Sequence, residues 1–194
     1  MEEDMKLEPR LDPDEIEFFK NFMAETMAAD PETQMTEWGS GGSTLMFLPY
    51  FTTGKLVSIE HNPDWYDNVS KAVGESELPE AVLNNFTYCY EPPMVDKRFY
   101  GYGVPFEENP CFAARYIDPG LKYTKVFESD IYFVDGICRG AVLATIQAKA
   151  MKRDAAIFIH DYYGYEERIP WYKWASNLYS RVVQVGSTLA RLYL

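Results

Sequence analysis

The chain has 194 residues, a formal net charge of −12 and 47% hydrophobic residues. That length suits one domain, that hydrophobic share supports a full core rather than disorder, and a surface this acidic repels phosphate backbones, so nucleic-acid partners are not expected. No apolar run is long enough for a membrane span, the polar start MEEDMKLEPRLDPDE does not read as a signal peptide, and 3 widely spaced cysteines fit a reducing compartment, the cytoplasm, better than a disulfide framework.

In chain order, Met1–Leu11 carries no period and reads as a flexible arm. Asp12–Pro13 opens a helix that runs to about Ala29, because Ile16, Phe19, Phe22, Met23 and Met27 recur at helical spacing. Its expected place is across one sheet face; the alternative is a cover over a ligand. A short apolar run then leads through Glu37 into Gly39, Ser40, Gly41, Gly42, Ser43 and Thr44. The order strand, glycine turn, helix N-terminus lets backbone N–H groups face a ligand. Leu45–Phe51 is the helix after it, interrupted near Pro49, and Lys55–Glu60 is the second strand. Asn62 caps a helix from Asp64 to about Val73, with Pro63 at its first position. Leu83–Glu91 is a third strand.

Pro92–Pro110 is irregular, with Arg98, Tyr100, Tyr102 and Phe106 spread through it, and a loop of that length suits substrate contacts. Cys111–Ile117 reads as a short helix, Asp118–Gly120 as a turn, Asp130–Val134 as a strand and Ile137–Lys152 as a helix. The strand Asp154–Ile159 follows, then an aromatic-rich helix over Pro170–Tyr179 and a hairpin of Arg181–Val185 with Leu189–Leu194. Alternating strands and helices make an α/β domain: a mostly parallel sheet, helices on both faces, and an antiparallel edge from the hairpin.

In such a sheet ligands sit at the carboxyl ends of the strands. Those ends carry Glu37 with the glycine turn, Glu60–His61, Asp135–Gly136 and His160–Asp161. Glu37 either accepts N–H groups of its own loop or sits near a positive ligand group. Glu60 either caps the next helix or holds both hydroxyls of a ribose. Asp135 and Asp161 suit a hard cation such as Mg²⁺ or Mn²⁺, which lowers the pKa of a bound hydroxyl. Alternatively one of these carboxylates, or His160, takes the hydroxyl proton directly. Arg139 either meets an acidic substrate group or is solvated.

EWGSGGST (Glu37–Thr44), SIEHNP (Ser58–Pro63), DIYFVDG (Asp130–Gly136) and IFIHDY (Ile157–Tyr162) resemble four motifs of class I S-adenosylmethionine-dependent methyltransferases, and the resemblance extends over about Glu15–Leu194. It implies a Rossmann-like seven-stranded sheet in a single domain spanning the chain. It further implies S-adenosylmethionine on Glu37, Gly39, Ser40, Gly41, Ser43, Thr44, Glu60, His61 and Asp135, and catalysis by Asp135, His160 and Asp161. Within the family, Asp135 and Asp161 match two metal-binding acids of catechol-type and some sugar O-methyltransferases, so Mg²⁺ or Mn²⁺ assistance is an expected option. The looser likeness to small carbohydrate O-methyltransferases makes a sugar or glycan hydroxyl the leading acceptor, with a catechol-like phenol as the alternative. Separately, a homodimer is an expected option. The competing expectations are a nicotinamide oxidoreductase, whose third glycine would fall on Thr44, and a binding protein that has kept the fold without the chemistry.

Overall fold

The computed structural model describes residues 7–94, 110–123, 125–165 and 169–194. Arg98, Tyr100, Tyr102 and Phe106, singled out above for substrate contacts, lie outside the described residues.

Strands β1 (Gln34–Trp38), β2 (Lys55–Glu60), β3 (Phe86–Tyr90), β4 (Ile131–Val134), β5 (Ala156–Ile159), β6 (Arg181–Gln184) and β7 (Ala190–Tyr193) form one 7-stranded sheet in the order β3-β2-β1-β4-β5-β7-β6. The first five strands run parallel, and the terminal hairpin adds β7 antiparallel to β5 and β6 antiparallel to β7. The expected α/β architecture, with its antiparallel hairpin edge, is therefore present. The chain leaves β1 toward β2 and β3, then returns to the other side of β1 with β4. That reversal places the topological switch point between β1 and β4, where open α/β sheets leave a crevice.

Among the described residues the helices are α1 (Pro13–Ala29), α2 (Gly42–Phe47), α3 (Pro63–Gly74), α4 (Glu80–Asn84), α5 (Ala114–Ile117), α6 (Arg139–Lys149) and α7 (Pro170–Ser176). A 3-10 turn at Leu48–Tyr50 interrupts the helix after the glycine turn at Pro49, as its sequence requires. The third strand is shorter than expected: Leu83 and Asn84 belong to α4, which Pro79 starts as its N-cap, and the strand begins only at Phe86.

Strand residues alternate between two cores. Met35, Leu56, Ile131, Phe133 and Phe158 face α1 and α2 through Phe19, Met23 and Phe47. Trp38, Ile59, Tyr132, Val134, Ile157 and Ile159 face α6 and α7 through Val142, Leu143, Ile146, Tyr172 and Ala175. The first core is aromatic: the Phe19 ring stands edge-on to Phe47, Phe133 and Phe158 at centroid distances of 5.2, 5.3 and 5.2 Å. Thus α1 lies across a sheet face and is not a cover.

The arm is docked over its described part. Leu11 is buried, and a side-chain carbon at Gly42 would run into the backbone of Glu8 and Pro9. No helix among the described residues is long and apolar enough to cross a membrane.

Candidate functional site

One cleft of about 320 Å³ opens at the carboxyl ends of the parallel strands. Its lining includes Gly39, Ser40, Gly41, Gly42 and Ser43 from the turn after β1, Glu60 and His61 after β2, Asp135 and Gly136 after β4, and His160 and Asp161 after β5. Backbone bonds hold these ends side by side: Gly39 N–H donates to Ile59 O (2.9 Å), Asp135 N–H to Trp38 O (2.8 Å) and His160 N–H to Val134 O (3.1 Å).

The turn needs one of its glycines, Gly39, for contact with the neighbouring strand end. Gly39 sits at φ +90°, and a side-chain carbon there would lie 2.5 Å from the Gly136 nitrogen. Gly41 instead has room for a side-chain carbon, which would stand in ordinary contact with the Trp65 ring at 3.7 Å. Beneath Gly136 is the buried Tyr116 hydroxyl, which has no hydrogen-bond partner among the described residues. The cradle therefore has bare backbone walls, an aromatic side and polar groups at its floor.

Glu60 is buried and ties the turn to its own strand end. Its Oε2 accepts from Ser40 N–H (2.7 Å) and Ser40 Oγ (2.9 Å), and its Oε1 from the N–H groups of His61 (2.8 Å) and Asn62 (2.7 Å). Asn62, not Glu60, caps α3: its side chain accepts from the N–H of Asp64 and Trp65. His61 stands edge-on to Tyr116.

Glu37 and Thr44 are fully buried and do not line the cleft. The register opposes Glu37 to Ser58, and the carboxylate accepts hydroxyl bonds from Ser43 (2.6 Å), Thr44 (2.6 Å) and Ser58 (2.7 Å). Glu37 thus fastens the turn from below. Burial raises its pKa from 4.5 to about 7 despite the three hydroxyls, which pull it down. Between these values the folded protein holds a proton that the unfolded chain has released, so stability falls as pH rises through that window. The contribution amounts to about 3 kcal/mol over its full span. Glu37→Gln, which mimics the protonated carboxyl, is expected to remove this slope. In urea denaturation at about pH 5 and pH 8, the variant should gain on the wild type by roughly 2–3 kcal/mol at the higher pH. An equal difference at both pH values would show a carboxylate ionised throughout.

The other half of the site is a charged chain. His160 Nδ1 is 2.7 Å from Asp135 Oδ1, and its Nε2 is 3.4 Å from Oε2 of the buried Glu15 on α1. Burial lowers the His160 pKa, but the Asp135 bond and charge, with the charge of Asp161, outweigh it and the net direction is up. Arg139, the first residue of α6, reaches both acids: Nη2 is 3.3 Å from Asp135 Oδ1, and Nη1 is 3.1 Å from Asp161 Oδ2. Burial works against its charge, but Asp135, Tyr172 and Asp161 prevail and hold it positive. Asp135, His160 and Asp161 each offer one ligand atom within 4.8 Å of the others, a donor set of the right composition for a divalent ion. Arg139 already lies against both carboxylates.

Among the described residues, Cys138 and Asp161 alone are non-glycine residues with positive φ, both at 52°. They stand at the two strand ends that Arg139 joins. Such backbone outliers concentrate where a site fixes side-chain direction.

Sequence reasoning brought the turn, Glu60, His61, Asp135, His160 and Asp161 to one place and missed Glu15, Tyr116, Trp65 and the arm. Glu8 and Arg10 line the cleft, with the Arg10 guanidinium 5.1 Å from the centre of the Trp65 ring. Glu15 had a signal: Asp12-x-x-Glu15 is a capping box, and Asp12 N–H donates to Glu15 Oε2 (3.1 Å). Nothing in the arm's sequence foretells its docking.

No protein-family model matches the chain, and no curated protein matches it. Solved structures do. A methyltransferase-like protein from Silicibacter pomeroyi superposes with a TM-score of 0.68 at 16% identity, over 96% of this chain and 88% of that one. A candidate caffeoyl-CoA O-methyltransferase from Staphylococcus aureus gives 0.55 at 14% identity, over 95% and 85%. The tRNA (m1A58) methyltransferase TrmI from Aquifex aeolicus gives 0.51 at 12% identity, over 92% and 68%. The chain has the class I S-adenosylmethionine-dependent methyltransferase fold.

The tRNA enzyme overturns one expectation. Net charge excluded nucleic-acid partners, yet a structure sharing this fold is named for a tRNA substrate. The physical reason is that net charge sums over the whole surface, whereas recognition depends on the field at one patch. The exclusion is withdrawn.

Proposed function

We propose that this protein is an S-adenosylmethionine-dependent methyltransferase acting on a hydroxyl oxygen, with a sugar or glycan as acceptor. The carrying observation is one cleft that joins the glycine turn and Glu60 to Asp135, His160 and Asp161. When bound, the cofactor supplies an electrophilic methyl group. Gly39 lets the turn close onto Gly136 at the base of the cleft, and Glu60 takes a ribose hydroxyl in place of the Ser40 hydroxyl it now accepts. Glu37 and Thr44 serve the cofactor indirectly, by fixing the turn.

On the acceptor side Asp161 is the base. Its side chain is 35% exposed, whereas that of His160 is 7% exposed with its two ring nitrogens facing Asp135 and Glu15. The cleft is lined by Glu8, Glu60, Asp135 and Asp161 against Arg10 and Arg139, a balance that favours a neutral acceptor group over an anionic one. Trp171 and Trp174 on α7 are 46% and 51% exposed, and Trp171 packs on Gly140 at the start of α6, next to Arg139. Their rings suit stacking on a sugar face.

Calorimetric titration with S-adenosylmethionine and S-adenosylhomocysteine tests the cofactor. Both are expected to bind, and Glu60→Gln is expected to weaken S-adenosylhomocysteine by roughly tenfold, the worth of a charge-assisted hydrogen bond. Silence from both ligands at high micromolar concentration would remove the proposal. Methyl transfer to a panel of glycans, catechols and tRNA then identifies the acceptor, and transfer to nitrogen alone would remove the hydroxyl assignment.

A further inference from the structure

We infer that Arg139 is the permanent cation of this site and that the Asp135–His160–Asp161 cluster takes no divalent metal. The composition of the cluster suits one; its surroundings do not. An ion between the two carboxylates would occupy the space on which the guanidinium converges, since Arg139 lies 3.3 Å from Asp135 Oδ1 and 3.1 Å from Asp161 Oδ2. The third ligand atom is engaged as well: His160 Nδ1 is 2.7 Å from the same Asp135 oxygen.

Nor is the guanidinium easily turned aside. Arg139 Nε donates to Gly136 O (2.8 Å), Nη2 to Asp135 O (3.1 Å) and Nη1 to the carbonyl of His160. Those three carbonyls belong to the segments just after β4 and β5. The arginine therefore braces the two strand ends through their backbone while it neutralises their side chains. A planar fork with several donors suits this use, and an ammonium would not replace it. Cys138, immediately before Arg139, holds φ 52° as the N-cap of α6, and the guanidinium lies 6.0 Å from the centre of the Tyr172 ring. Releasing it to admit an ion would uncover those carbonyls and bring a second positive centre against the first.

The consequence is a site whose acids are oriented by a side chain instead of a metal. Arg139 is a positioning residue: it turns Asp161 toward the cleft and offsets the charge of Asp135. Metal exclusion stands independently of the methyl-transfer proposal, whereas the orienting role of Arg139 rests on it.

Manganese titration of the full chain, read as loss of the free Mn²⁺ signal in electron paramagnetic resonance at physiological ionic strength, tests the inference without any turnover. The wild type is expected to show no site filled at micromolar Mn²⁺. Arg139→Gln, which opens the carboxylates, is expected to gain one site at least tenfold tighter, lost again on adding Asp161→Asn. One Mn²⁺ per wild-type chain at micromolar concentration, abolished by Asp161→Asn, would overturn the inference. So would a folded Arg139→Gln variant that gains no site. Should that variant not fold, the wild-type and Asp161→Asn titrations decide alone. For the orienting role, Arg139→Gln is expected to lower kcat at least tenfold while S-adenosylhomocysteine affinity changes less than threefold. An equal loss in both would make Arg139 a general structural brace. EDTA is expected to leave transfer unchanged, and a tenfold loss restored by Mg²⁺ would overturn metal exclusion. Cofactor binding measured on the same samples separates these failures from a failure of the methyl-transfer proposal.

Discussion

Gly39→Ala is expected to cost about 3–5 kcal/mol of stability and to remove measurable cofactor affinity. Two costs combine. The residue sits at φ +90°, where an L side chain is strained. The added carbon would also stand 2.5 Å from Gly136 N, 2.6 Å from Gly136 Cα and 2.8 Å from Asp135 C, all main-chain atoms that no rotamer change can move. Relief requires the turn after β1 to separate from the segment after β4, and those two segments form opposite sides of the cleft. Gly41→Ala is the matched control, because an added carbon there would make only ordinary contact, with a Trp65 ring carbon at 3.7 Å. Chemical denaturation and calorimetric titration of both variants check this. A Gly39→Ala protein as stable as Gly41→Ala would disprove the close-approach argument.

The second large effect is expected from Glu15→Ala. Glu15 Oε1 accepts from Thr188 N–H (2.8 Å), Thr188 Oγ1 (3.0 Å) and Leu189 N–H (2.9 Å), while Oε2 serves Asp12 N–H and faces His160. The side chain is fully buried, so truncation strands several donors at once and leaves His160 with one acidic partner fewer. A loss of about 3–5 kcal/mol follows for breaking one partner of a buried charged network. Glu15→Gln keeps the shape and one acceptor oxygen and is expected to cost roughly half as much. Urea denaturation of the two variants measures both, and a cost under about 1 kcal/mol for the alanine variant would show that the network is not a unit.

The parts of this fold that could be read from the sequence are those governed by local periodicity. The apolar runs of β4 and β5, the spacing along α1 and the Asn62–Pro63 helix start give elements, and their alternation gives a parallel sheet. Strand ends then gather at one edge by topology, which is why Gly39, Ser40, Gly41, Glu60, Asp135, His160 and Asp161 were found together. Residues whose roles depend on register or on distant partners were not legible. Glu37 reads as a ligand contact until the β1–β2 register sets Ser58 opposite it and α2 brings Ser43 and Thr44 beneath the turn. Leu83 and Asn84 read as strand because the short α4 has too few residues to show a helical period. Arg139 has the right spacing from Asp135, but its hold on Asp161 and three carbonyls needs β4 and β5 side by side.

The Glu15 contacts also carry a consequence for the order in which the molecule is made. Thr188 and Leu189 lie 173 and 174 residues beyond Glu15, and Ser187 reaches back to Asp12 and Asp14. The parallel sheet can pair from β1 to β5 without that hairpin, and Phe19 can pack on it, whereas Glu15 has its Thr188 and Leu189 partners only when residues 187–189 arrive. His160, which faces Glu15, is thereby linked to the hairpin through one shared side chain. A nascent chain cut short before the hairpin would hold the glycine turn and Glu60 without a finished acceptor side. Contacts this distant in sequence add a loop-closure cost that the finished site carries and the local elements do not.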